Sequence, residues 1–200
     1  MKKLLLSLVA VAGLVYSANA QTEKGKVMLG GSIGFNSTKV EGAAKSDVSF
    51  SVVPSVGYFV DNNFAIGTGV GYNYNKQVSE NTLNQAFVVA PFGRYYVGLS
   101  EQFKFFGQLS VPMSFGNTKR GDVNGDNFTK VSKDNNVGVA LSPGFAFFPS
   151  KKFGIEFSVN GISYNDYNAK DANGNDNGGS KNFNIGANFF APKIGVQFYL

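Results

Sequence analysis

The sequence predicts an all-β fold, a transmembrane antiparallel up-and-down β-barrel of about eight strands that follows a cleaved signal peptide. Three observations lead to this prediction. The N-terminus has the organisation of an export signal, large and small residues then alternate with period two in about eight segments, and the links between those segments alternate between short and long.

The N-terminal segment, residues 1–20, indicates a secretory signal. Two lysines precede an apolar run from Leu4 to Val15, and Ser17 to Ala20 fits the A-x-A cleavage rule. A membrane anchor is the alternative, but the apolar run is shorter than the roughly 20 residues that a spanning helix needs. We therefore expect cleavage before Gln21, export, and one mature domain over residues 21–200.

Composition excludes several classes of function. Loss of the signal lowers the formal net charge from +5 to +3, too small an excess to indicate nucleic acid as a partner. The chain has no cysteine, so strand pairing and packing must stabilise it without disulfides. It also has no histidine, which removes the usual general base for activating a serine or a water. A Ser-Lys or paired-carboxylate site is conceivable, but few ionisable residues lie in the predicted strands. We expect no enzymatic activity and no cofactor.

In each predicted strand, one face carries aliphatic or aromatic side chains and the other carries mostly small ones. This dyad pattern is typical of a barrel wall that faces lipid. The first strand, for example, sets Leu29, Ile33 and Phe35 against Gly30 and Gly34. The eight predicted strands span residues 27–36, 48–58, 65–74, 87–97, 105–115, 137–147, 153–159 and 183–200.

The links give the chain a direction. Outer-membrane barrels have short periplasmic turns and longer extracellular loops, so we expect both termini in the periplasm. Short turns are predicted at 60–63, 98–102 and 149–152, and long links at 36–45, 75–84, 116–136 and 165–180. Aromatic residues at strand ends are expected to form two interfacial girdles: Tyr58, Phe64, Tyr95, Phe103, Phe147 and Phe153 in the periplasmic one, and Phe35, Tyr72, Tyr74, Phe87, Phe115 and Phe183 in the outer one.

Two irregularities are predicted within the strands. Pro54, Pro91 and Pro143 each remove a backbone donor from a sheet without a free edge, so we expect a bulge at each. The last strand changes phase between Phe189 and Ile194, which predicts a further bulge near residues 190–192.

Three charged residues are predicted to face the lumen. Alternation points Arg94, Lys104 and Glu156 inward at similar depth near the short turns, where Glu156 is expected to pair with one of the two cations. One interpretation is a constriction that filters small solutes. The other is a packed polar network, which we favour because eight strands leave an interior just wide enough for side chains. The network would continue through Gln108, Asn160 and Gln197.

The third long link contains an incomplete calcium motif, Asp122, Asn124 and Asp126. The twelfth position holds Lys133 where an acid is required, and the sixth holds Asn127 where glycine is usual. A similar pattern, residues 171–176, occurs in the fourth link. Asn-Gly and Gly-Asp are also ordinary turn formers, so we favour plain turns over a calcium loop at these residues.

Two aromatic residues, Phe128 and Tyr167, lie within otherwise polar links. They are candidate anchors for a partner at the cell surface. The alternative, which we favour, is that they fold back and cap the barrel.

The chain resembles the small outer-membrane β-barrel family, often labelled the porin family, whose architecture is related to the membrane domains of outer membrane proteins A and X. The resemblance covers residues 21–200 and rests on the signal, the eight alternating segments, the run Pro91 to Tyr96 and the terminal run Ile194 to Leu200. In such families the last strand ends in an aromatic residue that the barrel-assembly machinery recognises. Here Leu200 is last, and Phe198 and Tyr199 are the expected assembly signal. Outer-membrane lipid and this machinery are the partners that the resemblance implies.

Three functions are compatible with these observations. We favour a non-enzymatic integral protein of the Gram-negative cell envelope, with surface-exposed loops and a structural or interaction role. A narrow porin-like channel for ions or small polar solutes is the second, supported by the small lumenal residues. The third is a soluble lipocalin-like ligand-binding barrel, which would need a far more charged outer face. The surface partner is not predicted.

Overall fold

A computed structural model describes residues 21–39, 41, 45–78, 80–122, 127–186 and 193–200. The predicted signal, residues 1–20, lies outside the described residues. Among the residues that are described, the regular elements are β-strands, and no helix is long and apolar enough to cross a membrane.

The described part of the chain contains eleven β-segments. They are β1 (Val27–Thr38), β2 (Asp47–Asp61), β3 (Phe64–Gln77), β4 (Thr82–Gly98), β5 (Phe103–Ser110), β6 (Met113–Arg120), β7 (Thr129–Ser150), β8 (Phe153–Ser158), β9 (Ile162–Asp171), β10 (Asp176–Ile185) and β11 (Lys193–Tyr199).

Three consecutive pairs of segments each continue a single barrel strand. β5 and β6 both pair with β4 on one side and with β7 on the other. β8 and β9 both pair with β7, while β11 and β10 pair with β8 and β9 respectively. The eleven segments therefore form eight antiparallel barrel strands, which confirms the predicted fold class.

The first and last strands close the barrel. Met28 pairs with Tyr199, and the backbone N–H of Val27 donates to the carbonyl of Leu200 at 3.0 Å. Closure satisfies backbone groups that would be costly to leave unpaired in lipid. This junction lies at the same end of the barrel as the short turns, where the N–H of Asn63 donates to the carbonyl of Thr22 at 2.7 Å. We call this end of the barrel the short-turn end, and the opposite end the long-hairpin end.

Large apolar side chains cover the outside of the barrel. Ile66, Phe157 and Val196 are 49%, 41% and 41% exposed. A soluble lipocalin-like barrel would place such residues inside, so the outward apolar face contradicts that alternative. Of the aromatic residues predicted to form girdles, nine are exposed: Tyr58, Phe64, Tyr95 and Phe103 towards the short-turn end, and Phe35, Tyr72, Phe87, Phe115 and Phe183 towards the other.

The segments predicted to be long loops are largely paired strand. β6 and β7 pair out to Arg120 and Thr129, and β9 and β10 pair out to Lys170 and Asp176. The loop predictions for 116–136 and 165–180 were therefore too long. Residues beyond the membrane meet water on both faces, so the ladder continues there without the apolar alternation on which the sequence prediction depends.

The predicted bulges at Pro54 and Pro91 are wrong, because both residues lie in continuous registers opposite Gly31 and Thr68. Gly31 adopts a φ of +144°, and a Cβ there would lie 2.5 Å from the carbonyl oxygen of Val53. Only glycine fits opposite Pro54. The backbone of Gly31 is therefore irregular, while the register between β1 and β2 is unbroken.

An irregularity is present at Pro143, but the extra residue belongs to the neighbouring barrel strand, between β8 and β9. Gly144 pairs with Ser158 and Leu141 pairs with Ile162, so residues 159–161 face only two residues of β7. The predicted phase change in the last strand is also present, since both Ile185 and Ile194 are exposed. The predicted bulge near 190–192 falls outside the described residues.

Candidate functional site

Aromatic side chains fill the lumen towards the short-turn end. Tyr96, Tyr199, Phe59 and Phe106 are at most 1% exposed, and the ring centres of Tyr96 and Phe106 lie 5.6 Å apart. We call the whole buried cluster the lumen plug: Met28, Phe59, Ala65, Phe92, Tyr96, Phe106, Ala146, Phe148 and Tyr199. These residues point inward because each occupies the lumenal position of the period-two alternation in its strand.

Arg94 and Glu156 form an ion pair among these aromatic rings. Arg94 Nη1 donates to both carboxylate oxygens of Glu156, at 2.7 and 2.8 Å. The side chains are only 8% and 6% exposed. Two charges at this depth are tolerated because each neutralises the other and because Arg94 donates, and Glu156 accepts, further hydrogen bonds.

The rest of the guanidinium is held by neighbours on β5. Arg94 pairs directly with Gln108, and its Nε and Nη2 donate to Gln108 Oε1 at 2.8 and 2.6 Å. The guanidinium carbon lies 4.5 Å from the ring centre of Phe106. The guanidinium is therefore fixed by an ion pair, an amide and a cation–π contact.

Two tyrosines complete the coordination of Glu156. Tyr96 and Tyr199 place their hydroxyls 3.1 and 2.9 Å from Glu156 Oε1, and Arg94 Nη1 donates to the Tyr96 hydroxyl at 2.9 Å. The sequence prediction missed both tyrosines. Their inward orientation follows from alternation with Arg94, yet Tyr199 was assigned only to the assembly signal.

Lys104 is fully buried but lies apart from the Arg94–Glu156 pair. Its ammonium donates to Thr22 Oγ1 at 2.6 Å and to Asn63 Oδ1 at 3.3 Å. Thr22 is 1% exposed. The residues that follow the predicted cleavage site therefore cover the short-turn end, and Lys104 anchors them there.

Of the predicted polar network, Gln108 and Gln197 are lumenal, whereas Asn160 is exposed. The extra residue opposite Pro143 changes the alternation at 159–161, and Val159 is buried there. Gln197 lines a cavity of about 220 Å³ beside Arg94 and Glu156. Its Oε1 is buried without a hydrogen-bond partner in the described structure, and the cavity has room for several waters.

The calcium motif is only partly described. Asn124 and Asp126 lie outside the described residues, while Asp122 Oδ2 accepts a hydrogen bond from Asn127 Nδ2 at 2.7 Å. Across the described ranges, no three His, Cys, Asp or Glu side chains are grouped so that they could hold a metal ion.

The similar motif at residues 171–175 forms the turn between β9 and β10. Asp171 Oδ1 accepts hydrogen bonds from the backbone N–H groups of Asn173 and Asn175, at 2.8 and 2.9 Å. Gly174 has a φ of +91°. The carboxylate thus stabilises a tight turn, as Asx side chains commonly do.

The two candidate surface anchors have partners within the chain. Lys76 Nζ lies 5.0 Å from the ring centre of Phe128, and the Tyr167 hydroxyl donates to Asp134 Oδ1 at 2.9 Å. Tyr167 nevertheless remains 37% exposed.

The assembly-signal residues divide between the two faces of the last strand. Phe198 and Leu200 are 51% and 55% exposed on the outside, whereas Tyr199 is fully buried in the plug. The aromatic residue that faces lipid at the end of the chain is therefore Phe198.

An eight-stranded antiparallel barrel with an apolar outer face and a packed lumen defines an integral outer-membrane β-barrel protein. A model of the outer membrane protein beta-barrel domain family matches residues 6–189, and the chain belongs to this family. The protein is accordingly located in the outer membrane.

Among solved structures, the crystal structure of Neisserial surface protein A is similar at 14% sequence identity and a TM-score of 0.41. The match covers 86% of this chain and 94% of that one. No curated protein matches the sequence.

Proposed function

We propose that this protein is a non-enzymatic, non-conducting outer-membrane barrel with a structural role in the envelope, and that it acts on partners through its outward hairpins. The lumen plug carries the proposal. Phe59, Ala146 and Tyr199 have no exposed surface, and with Lys104 beside them they close the short-turn half of a lumen that eight strands already make narrow.

The residual spaces in the lumen do not favour the pore alternative. The cavity beside Arg94 and Glu156 measures about 220 Å³, and it ends against an ion pair whose partners are fixed by hydrogen bonds. An ion would have to displace this buried pair, which costs several kcal/mol per uncompensated charge.

The paired hairpins support an interaction role. β7 continues 22 residues from Thr129 to Ser150, whereas a tilted transmembrane strand needs about 9–11 residues. Half of this strand therefore projects beyond the membrane, in an ordered sheet with polar side chains. We propose that export uses the N-terminal signal and that the assembly machinery recognises the last strand, with surface display as the result.

Conductance of the purified, refolded protein in planar bilayers tests the closed lumen. The wild type is expected to show no single-channel steps. A variant in which Phe59, Tyr96 and Phe106 are all replaced by alanine removes three plug side chains and is expected to conduct. A gel shift on boiling establishes that both proteins are folded. Regular steps from the wild type would overturn the proposal in favour of a narrow pore.

A further inference from the structure

A second lumenal space lies between the plug and the long-hairpin end. This outer chamber measures about 280 Å³, and the described residues that line it include no lysine or arginine. Its lumenal side chains are amides and hydroxyls with one carboxylate: Asn73, Asn75, Asn84, Ser114, Thr118, Asp134, Asn136 and Tyr167. They come from five neighbouring segments, β3, β4, β6, β7 and β9.

Asp134, the carboxylate among the described residues of the chamber, is held in a fixed orientation. Asp134 Oδ1 accepts hydrogen bonds from the hydroxyls of Ser132 and Tyr167, at 2.7 and 2.9 Å. Asp134 Oδ2 accepts from Thr118 at 2.7 Å. A carboxylate has about four acceptor positions, so roughly one is left for a ligand hydroxyl.

The Thr118 hydroxyl also fixes the neighbouring amide. Thr118 Oγ1 lies 2.6 Å from Asn84 Oδ1 as well as 2.7 Å from Asp134 Oδ2, and its single proton can be donated to only one of the two. One acceptor of this pair is therefore left to accept a hydrogen bond from a ligand in the chamber.

A second acceptor in the chamber lacks a donor. Asn136 Oδ1 is buried and has no hydrogen-bond partner in the described part of the chain. Asn136 pairs with Tyr167, whose ring is 37% exposed. An acceptor of this kind beside a carboxylate and an aromatic ring calls for a ligand with hydroxyl donors and a C–H face.

From this arrangement we propose that the outer chamber binds a neutral polyhydroxylated compound about the size of a monosaccharide. Amides and a carboxylate match hydroxyl groups that donate and accept at once, while the absence of a lining cation disfavours anionic ligands. The volume corresponds to roughly nine waters, which a sugar ring and its hydroxyls would displace. The ligand enters from the long-hairpin end, because the plug closes the other. The proposal thus rests on the blind lumen of the proposed function.

The test is nuclear magnetic resonance of the side-chain amides of the full mature protein in detergent micelles, titrated with glucose, galactose and N-acetylglucosamine at millimolar concentration. At least one sugar is expected to shift the Asn136 amide saturably. Asp134→Asn, which keeps the shape of the side chain, is expected to weaken binding at least about tenfold. Asn182→Leu alters an exposed residue outside the chamber and should leave the affinity unchanged.

The source of the sugar is distinguished with vesicles that contain or lack a neutral glycolipid. Shifts with the glycolipid alone would assign the chamber to a lipid-anchored sugar, and shifts with free sugars would assign it to a soluble one. Absence of any saturable shift, or equal shifts in Asp134→Asn, would overturn the proposal, as would shifts caused by calcium ions but not by sugars. Failure here would leave a non-conducting lumen intact, because conductance is measured separately.

Discussion

Tyr199, the penultimate residue of the chain, donates its hydroxyl to Glu156 Oε1 at 2.9 Å. The strand that closes the barrel thereby completes the coordination of its buried ion pair. Tyr199→Phe keeps the ring in the plug but removes this donor, so we expect a loss of about 1 kcal/mol in stability with normal assembly. Thermal melting in detergent and the amount of protein in the outer-membrane fraction measure the two effects. A normal melting temperature would show that the hydroxyl contributes nothing.

Replacement of Phe198 is expected to impair assembly and to leave stability nearly unchanged. Its ring faces lipid at the end of the last strand, so Phe198→Ser should lower the amount of protein that reaches the outer membrane. The change leaves the plug intact, and the fraction that does assemble should melt close to the wild type. Equal outer-membrane levels for wild type and variant would count against Phe198 as an assembly signal.

Removal of the carboxylate from the ion pair is expected to destabilise the barrel severely. Glu156→Ala leaves Arg94 buried without a counter-charge, which costs about 3–5 kcal/mol. The midpoint of the boiling-dependent gel shift measures the change. Lys181→Ala is the matched control, since its contact with Asp166 is 3.8 Å long and its side chain is 70% exposed. That variant should lose less than about 1 kcal/mol. Similar midpoints for both would exclude a stabilising role for the buried pair.

Gly67 and Gly195 provide a contrast in lumenal packing. A Cβ at Gly67 would clash with the carbonyl oxygen of Val56, whereas one at Gly195 would meet nothing within 4 Å. Gly67→Ala should therefore destabilise the barrel by about 1–3 kcal/mol. Gly195→Ala should be neutral or stabilising, because glycine within a strand is unfavourable by roughly 0.5–1 kcal/mol relative to alanine. Thermal melting of both variants decides, and equal effects would contradict the close approach.

The orientation of the barrel can be read from single cysteines, because the chain has none of its own. Ala172→Cys lies in the turn between β9 and β10, and Lys151→Cys lies in a short turn. With the termini in the periplasm, a membrane-impermeant maleimide should label the first on intact cells and the second only after permeabilisation. The reverse pattern would invert the orientation.

The turn at Asp171 is expected to depend on pH. The side chain and backbone of Asn175 donate to this exposed carboxylate and lower its pKa. The ionised form thus holds the turn at pH values above the ordinary carboxyl range, and order is lost as the pH falls through the lowered pKa. The backbone amide resonances of Asn173 and Asn175 should follow this titration. Amides that titrate at or above the ordinary carboxyl pKa would contradict the arrangement.

The alternation of large and small residues was sufficient to predict the fold, because lipid on one side and a narrow lumen on the other leave each strand position two distinct environments. It also pointed Arg94 and Glu156 inward. The same rule failed for Asn160. The extra residue opposite Pro143 reverses the inward and outward alternation after β8, and no residue type in this segment indicates where the reversal occurs.

Partners across the lumen were harder to predict. Lys104 and Arg94 both point inward near the short turns, yet only Arg94 reaches Glu156, because Thr22 and Asn63 engage the lysine. Those contacts join positions distant in sequence, and alternation carries no information about depth. The paired strands at the long-hairpin end were not predicted for a related reason. Strands with water on both faces lack the apolar face on which the prediction depends.

The length of β7 has an immunological consequence. Its 22 residues correspond to roughly 75 Å of extended chain, well beyond what the membrane encloses. With the long-hairpin end outside the cell, as proposed, the displayed surface is folded sheet, in which neighbouring determinants come from β6, β7 and β9 together. Antibodies raised against intact protein should recognise such composite epitopes and bind synthetic peptides of the same segments poorly, since a free peptide must first be ordered.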